Sequence, residues 1–247
     1  MAKPAILLVL ALAACDVKSD MLGGGAQPIL PPVQSLDADI SFFLTHTPAP
    51  GGSTANWDLA LERVAFVDTA INRLLLVPLA TLRAAEARQP SNQGDYWQWD
   101  FDTTAGGQAY HGSLLGGAVG ISNGWIMYLS APGRMPPLSD YKWFSGLASV
   151  YGSPGYWVIE DPTGSSPDTA TIQWSYDGVT NYLRFTSGSE GVFTYTWNEP
   201  YRQIEWVAAN SDDNFLLQWN PTTGTGGARL GGGSIVCWDA EQHDAAC

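Results

Sequence analysis

The alternating stretch Trp97-Gln98-Trp99-Asp100-Phe101-Asp102 decides the fold class, because aromatic and polar residues take turns along it. The same period of two returns in Thr171–Tyr176 and in Val192–Trp197. Successive side chains of a β-strand point to opposite faces, so this alternation predicts strands with one buried face. About ten such runs follow at short intervals, separated by turn signals such as Asn123-Gly124. We therefore predict a mainly β fold over residues 95–247, an antiparallel β-meander that forms an open curled sheet or a barrel-like shape.

A helical segment is expected before the strands, in residues 37–94. From Asn56 to Arg88, apolar residues fall three and four positions apart, which is the period of an amphipathic helix. The apolar stripe consists of Ala60, Val64, Val67, Ile71 and Leu74. Asn56 is the expected N-cap, and Pro78 is expected to end or kink the helix before a second one begins. The polar side mixes both signs of charge, so we expect the stripe to pack on the sheet rather than on a membrane surface.

The composition excludes one class of partner and supports a folded chain. Of 247 residues, 11 are Lys or Arg and 24 are Asp or Glu, which gives a formal net charge of -13. So few cations cannot neutralise a run of phosphates, and nucleic acid is therefore not an expected partner. The hydrophobic fraction of 45% is sufficient for a packed core.

The first residues have the order of a bacterial export signal. Lys3 gives a positive start, residues 5–12 form an apolar run, and Leu12-Ala13-Ala14-Cys15 follows at once. The run is too short to span a membrane, and small residues before a cleavage point are typical of secretion. The tetrapeptide resembles the lipobox of bacterial lipoproteins. This resemblance implies that residues 1–14 are a signal peptide that is removed, and that acyl chains on Cys15 hold the protein to a membrane.

Residues 15–36 are then expected to be a lipidated tether. Gly23-Gly24-Gly25 and the Pro-rich residues 28–32 show neither a helical nor a strand period. The covalent lipid on Cys15 is the only added group that we expect. Asp16 is typical of retention at the inner membrane in some bacteria but not in others, so inner versus outer membrane stays open. The alternative is an ordinary secretory signal in which Cys15 is incidental.

Two further cysteines, Cys237 and Cys247, form an even pair that an oxidising compartment would convert to a disulfide. The alternative is a zinc site, since His243 lies between them in sequence, with Asp239 and Asp244 as possible fourth ligands. Zinc needs reduced thiolates, so we favour the disulfide and expect no metal.

One motif suggests catalysis, because Gly120-Ile121-Ser122-Asn123-Gly124 matches the G-x-S-x-G pattern of a nucleophile elbow. An elbow joins a strand to a helix, whereas the following Trp125–Leu129 has the pattern of a strand, so a hairpin turn at Asn123-Gly124 is the better interpretation. The three histidines, at positions 46, 111 and 243, lack the spacing of a metal or base motif. We therefore predict that the protein is not an enzyme and assign no catalytic residue.

The 11 Trp residues exceed what a core of this size needs, which suggests a surface that binds sugar rings or apolar groups. The candidate ligand-binding residues are Trp97, Trp99, Trp174 and Trp197, because each lies on a strand whose other face is polar. The alternative, which we favour, is that these aromatics pack across hairpins inside the sheet.

The order of lipobox, spacer, helix and Trp-rich meander generally resembles secreted bacterial β-meander lipoproteins, many of unassigned function. We expect a lipid-anchored, extracytoplasmic protein of the bacterial cell envelope that acts as a non-catalytic binding or structural module, with an unknown envelope ligand or protein as partner. The first alternative is a carrier of apolar or acylated ligands in a half-open β-barrel, followed by a glycan-binding module and a hydrolase. A packed interior would favour the module, an aromatic cavity the carrier, and an exposed Trp row the glycan binder.

Overall fold

The computed structural model describes residues 22–23, 25–160, 169–187, 191–209 and 213–247, and it leaves undescribed the side chains of residues 70–74 and 169. The lipobox with Cys15 lies outside the described residues. A 3-10 helix at Val33–Leu36 and two α-helices, α1 (Ser41–Thr45) and α2 (Ala55–Glu86), precede the strands. The strands are β1 (Ser91–Asn92), β2 (Trp97–Ala105), β3 (Gln108–Val119), β4 (Ser122–Ala131), β5 (Leu138–Ser149), β6 (Gly155–Glu160), β7 (Thr169–Tyr176), β8 (Thr180–Ser187), β9 (Gly191–Asn198), β10 (Tyr201–Ala208), β11 (Phe215–Trp219), β12 (Gly226–Leu230), β13 (Val236–Trp238) and β14 (Asp244–Ala245).

All 14 strands form one sheet, in which each strand pairs antiparallel with the next along the chain. The predicted mainly β fold and antiparallel meander are therefore confirmed, with more strands than the ten or so expected. The sheet is open, since the strand order runs from β1 to β14 without a pair between these two. It is also strongly curled, because α2 contacts β2 near one edge of the sheet and β12, β13 and β14 near the other edge. The helix thus lies where the two ends of the sheet approach each other.

The inner face of the sheet places glycine directly opposite tryptophan on neighbouring strands. Four such pairs are Gly116 with Trp125, Gly146 with Trp157, Gly155 with Trp174, and Gly226 with Trp238. At Gly116, Gly155 and Gly226 the indole occupies the space that a side chain on the glycine would need; a Cβ on Gly155 would lie 2.2 Å from Trp174. At Gly146 the Tyr156 carbonyl oxygen is the nearest obstacle, followed by the backbone and indole of Trp157. These tryptophans are nearly or fully inaccessible to solvent. Their number is therefore explained by core packing, in which large rings alternate with small partners.

Helix α2 packs its apolar stripe into this interior. Ala60, Val64 and Val67 are buried, as predicted, while the side chains at 71 and 74 lie outside the described part. The expectation that Pro78 would end the helix is wrong, since α2 continues through it to Glu86. Pro78 removes one backbone hydrogen bond, but Leu75 and Leu82 on either side of it are buried, and this packing outweighs the loss.

The start of α2 also differs from the prediction. The N-cap is Thr54 rather than Asn56, and Thr54 makes no capping hydrogen bond with its side chain. The carboxylate of Asp244, on β14, instead accepts the backbone N–H of Asn56 at 2.8 Å and the hydroxyl of Ser53 at 2.5 Å. A carboxylate at this point satisfies a free helix N–H and opposes the positive end of the helix dipole.

Part of the segment that we expected to be a tether packs on the sheet. Gly23 exchanges two backbone hydrogen bonds with Ala118 on β3, at 2.8 and 3.1 Å, and Leu22 is buried beside them. Leu36 is fully buried against the main core. A free spacer over residues 15–36 is therefore wrong for the described residues from Leu22 onward, because their apolar side chains gain more from burial on the sheet than from staying solvated.

Candidate functional site

The four candidate tryptophans all lie on the inner face of the curled sheet. Trp99 and Trp174 are only 1% and 2% exposed, and the Trp174 indole N–H donates to the carbonyl of Gly152 at 3.0 Å. Trp97 and Trp197 are partly buried and pack against the same core. The four residues therefore do not form an exposed row, because the apolar face of each alternating strand is the one that turns inward.

Trp197 belongs to a polar group that the sequence analysis missed. The Arg202 guanidinium lies 4.3 Å from the centre of the Trp197 ring, and it pairs with Glu199 at 3.3 Å. The Trp197 indole N–H donates to the same Glu199 carboxylate at 3.0 Å. Arg202 is largely buried, so the ring and the carboxylate stabilise a cation that has lost most of its water, although its Nε atom has no hydrogen-bond partner among the described residues. This contact fixes the hairpin between β9 and β10.

A neighbouring residue on β8, Asn181, connects the sheet to the segment before α1. The Asn181 side-chain amide, buried on β8, donates to the carbonyls of Gln34 and Asp37 at 3.0 and 3.3 Å. Tyr195 on β9 is fully buried, and this burial raises the pKa of its hydroxyl group, while the nearby Arg202 opposes the rise. We call Asn181, Tyr195, Trp197, Glu199 and Arg202 the Arg202 cluster.

The carboxyl groups near the cluster are also affected by burial. Burial raises the pKa of Asp37, and the Arg83 guanidinium partly opposes this rise. Burial likewise raises the pKa of Glu86 at the end of α2. The Asn181 amide thus holds the segment before α1 in place, which is a structural role. The position of Arg202 in the sequence could have indicated this cluster. Arg202 is separated by two and four residues from the buried Ile204 and Trp206, so all three side chains point to the same face of β10.

A shallow groove of about 250 Å³ lies on the outer face of the last strands. Gly227 on β12 is one of its lining residues, between Leu216 and Ile235 on the neighbouring segments. Tyr201, Leu216 and Ile235 supply apolar walls, and Arg229 supplies a positive charge. The groove therefore offers a small apolar surface with one cation.

Cys237, on the groove wall, forms a disulfide with Cys247 as predicted. The two Cα atoms are 5.2 Å apart. Because the sulfurs are bonded to each other, they are not thiolate ligands for zinc, and His243 instead has its Nε2 atom 2.9 Å from the carbonyl of Ala49. Within the described ranges, no group of three or more His, Cys, Asp or Glu side chains is arranged to hold a metal.

Ser122 of the G-x-S-x-G motif is the first residue of β4 and pairs with Val119 and Ser149. It is therefore followed by a strand, not by the helix that a nucleophile elbow requires. The predicted turn at Asn123-Gly124 is wrong, since both residues lie within β4 and the turn is formed by Gly120 and Ile121. Gly120 has φ +60°, which glycine adopts without strain, and so the turn falls there.

Two further findings concern membrane-spanning helices and similarity to known proteins. Among the helices in the described ranges, none has the length and apolar character needed to cross a membrane. Comparisons with protein-family models, with curated proteins and with solved structures found no match to this chain.

Proposed function

We propose that this chain is an extracytoplasmic bacterial lipoprotein, anchored through Cys15, that acts as a non-catalytic structural or binding module of the cell envelope. The observation that carries the proposal is the continuous cluster of buried side chains inside the curled sheet. Side chains from β2 to β13 and from α2 pack there into one continuous cluster, with Trp57, Trp125 and Trp157 among those fully buried. A scaffold has this kind of core, whereas a carrier needs a lined void for its ligand.

The disulfide supports the extracytoplasmic part of the proposal. Disulfides persist in oxidising compartments and are rare where glutathione keeps thiols reduced. Cys237 and Cys247 are joined, and the bond ties β13 to the tail that carries Asp244, the residue that caps α2. An exported chain can use such a bond as a permanent part of its fold.

The groove supports the binding part of the proposal. Tyr201 and Arg229 are residue types that contribute strongly to protein interfaces, and both line the groove. A partner protein of the envelope would insert an apolar side chain over Gly227 and pair an acidic group with Arg229.

Anchoring is tested by growing bacteria that express the full chain with an alkyne analogue of palmitate. We expect the label on the wild type and not on the Cys15→Ser variant, because the thiol is the acylation site. Membrane fractionation of the same cultures should give the wild type in the membrane fraction. Equal labelling of both proteins, or no label on either, would contradict the proposed anchor.

The alternative of a lipid carrier is tested by native mass spectrometry of the protein purified from those membranes. We expect the mass of the acylated chain alone. A second, non-covalent lipid that survives purification at a stoichiometric level would instead establish a carrier. The Arg229→Ala variant, which removes the positive charge of the groove at an exposed position, provides the matched control for any ligand that does bind.

A further inference from the structure

Several turns at one end of the sheet carry exposed apolar residues. Consecutive strands of a meander run in opposite directions, so the turns after β3, β5 and β7 lie at the same end. Ile121 in the first of these turns is 94% exposed, Tyr151 in the second is 78% exposed, and Val179 in the third is 62% exposed. Val150, beside Tyr151, is also exposed. Single exposed apolar residues are common on protein surfaces, whereas a contiguous row of them is typical of a binding surface. The large apolar residues at these three turns therefore indicate an interaction site.

The row is continuous across the sheet. Ser122 pairs with Ser149, which places Ile121 and Val150 next to each other at the ends of β4 and β5. Ile29 joins the same end, since the carbonyl of the following Leu30 lies against Gly152 in the turn after β5. Four strands, β4 to β7, separate the outermost tips, so the row is roughly 20 Å long at about 4.8 Å per strand. We call Ile29, Ile121, Val150, Tyr151 and Val179 the hairpin rim.

The described chain begins at this same end. Gly23 pairs with Ala118, one residue before β3 ends at Val119. Seven residue steps join Leu22 to Cys15, and they span at most about 25 Å when extended. The opposite end of the sheet is the length of β4 away, about 33 Å for its 10 residues. An acyl group on Cys15 therefore reaches the hairpin rim more readily than the far end, where Met135 is exposed between β4 and β5.

We propose that the hairpin rim docks on the bilayer that holds the Cys15 acyl chains, with its apolar tips inserted at the lipid headgroup level. This inference rests on the proposed function, because the anchor brings the bilayer to this end. The tips enter to a depth of roughly 5–10 Å, as other interfacial apolar residues do. The protein is then held with its strands upright on the membrane, and the groove beside the disulfide faces sideways into the envelope.

The charge near the rim decides the kind of lipid surface. Asp177 lies two residues before Val179, and hydrogen bonds from the backbone of Thr180 and Val179 lower the pKa of its carboxyl group. The group therefore stays ionised at neutral pH and repels anionic headgroups. Docking therefore depends on burial of the apolar tips, and we expect it to occur on a membrane of zwitterionic lipid.

The experiment places a fluorophore at the tip of one turn. Ile121→Cys is compared with Met135→Cys, which carries an equally exposed apolar residue at the other end of the sheet. With Cys15 acylated and the other cysteines in a disulfide, the new thiol is the single labelling site for NBD. The acylated proteins are reconstituted in phosphatidylcholine vesicles that contain brominated lipid. We expect a blue-shifted emission and several-fold stronger quenching for the label at position 121.

A second variant tests whether the tips act together. With the label moved to Val179→Cys, adding Ile121→Asp and Tyr151→Asp should reduce quenching several-fold, whereas adding Met135→Asp should leave it unchanged. Equal quenching at positions 121 and 135 would overturn the docking proposal, and so would quenching that needs anionic lipid. Sedimentation without vesicles provides a further check, because a dimer that Ile121→Asp dissolves would assign the rim to a second copy of the chain.

Failure of this proposal can be distinguished from failure of the anchor. Mass spectrometry of the same samples reports the acyl chains on Cys15 directly. An acylated protein with unquenched label at position 121 keeps the anchor and rejects the docking. A protein without acyl chains rejects the proposed anchor. Adding that protein to the same vesicles then tests the hairpin rim alone. Quenching at position 121 but not at position 135 supports docking by the rim, and no quenching at position 121 rejects it.

Discussion

Replacing Gly155 by alanine tests the reasoning that the tryptophans need glycine partners. The added Cβ would lie 2.2 Å from Trp174 Cζ2 and 2.7 Å from Cε2 and Cη2 of the same ring. Carbon atoms normally approach no closer than about 3.5 Å, so the indole must move by more than 1 Å. Overpacking of this kind costs about 1–3 kcal/mol, and loss of the hydrogen bond from Trp174 to Gly152 adds about 1 kcal/mol.

The expected loss of about 2–4 kcal/mol corresponds to a fall in Tm of roughly 5–15 °C for a chain of this size. Chemical denaturation followed by circular dichroism measures the free energy of unfolding directly. Gly232→Ala is the matched control, because a Cβ there meets no atom within 4 Å and its backbone is not in the left-handed region. We expect that variant to change stability by less than about 1 kcal/mol in either direction.

A double variant makes the test specific. Trp174→Phe shrinks the ring, so the cost of Gly155→Ala should be smaller by about 1 kcal/mol or more when both changes are present. If the two effects simply add, or if Gly155→Ala is as stable as Gly232→Ala, the ring and the glycine do not share space in the way described.

Three further predictions concern the tail and the interior. Cys237→Ser with Cys247→Ser opens a loop with a sequence separation of 10 and should cost up to about 3 kcal/mol in urea unfolding, and an unchanged midpoint would show that the bond is dispensable. Hydrogen bonds from Ser53 and Asn56 lower the pKa of Asp244 below its usual 3.8, so this carboxylate stabilises the fold above that pH and the contribution is lost as the pH falls through the lowered value. Asp244→Asn should therefore lower Tm at pH 6 and approach the wild type toward pH 2, whereas a constant difference would contradict the sign. Titration with a fatty acid should leave the tryptophan emission unchanged, and a saturable blue shift would indicate an interior site.

The strands could be predicted from the sequence, because alternation of apolar and polar residues depends only on which side chains share a face of the strand. Trp97, Trp99 and Phe101 all point inward, as their alternation requires. The pairing of Gly146 with Trp157 could not be predicted, because cross-strand register depends on the exact length and geometry of the turn at 150–154, which the sequence pattern does not give. Once register is known, the same composition that suggested a binding surface becomes the composition of a core.

Local signals failed where tertiary packing was stronger. Asn123-Gly124 is a good turn sequence, but Gly120 provides the turn three residues earlier and so keeps Trp125 facing inward opposite Gly116. Pro78 is a good helix breaker, yet burial of its neighbours keeps α2 continuous. The Arg202 cluster escaped notice for a similar reason, since a cation-π contact and a carboxylate pair appear only when β9 and β10 are placed side by side.

The cap on α2 has a consequence for when the chain can fold. Asp244 lies 188 positions after Asn56, so the first turn of the central helix lacks its carboxylate partner until β14 has been synthesised. The strands that meet the helix from the far side, β12 and β13, are also made late. Contacts between such distant segments slow folding. If the chain is exported as we propose, this arrangement would postpone folding until the whole sheet has crossed the membrane.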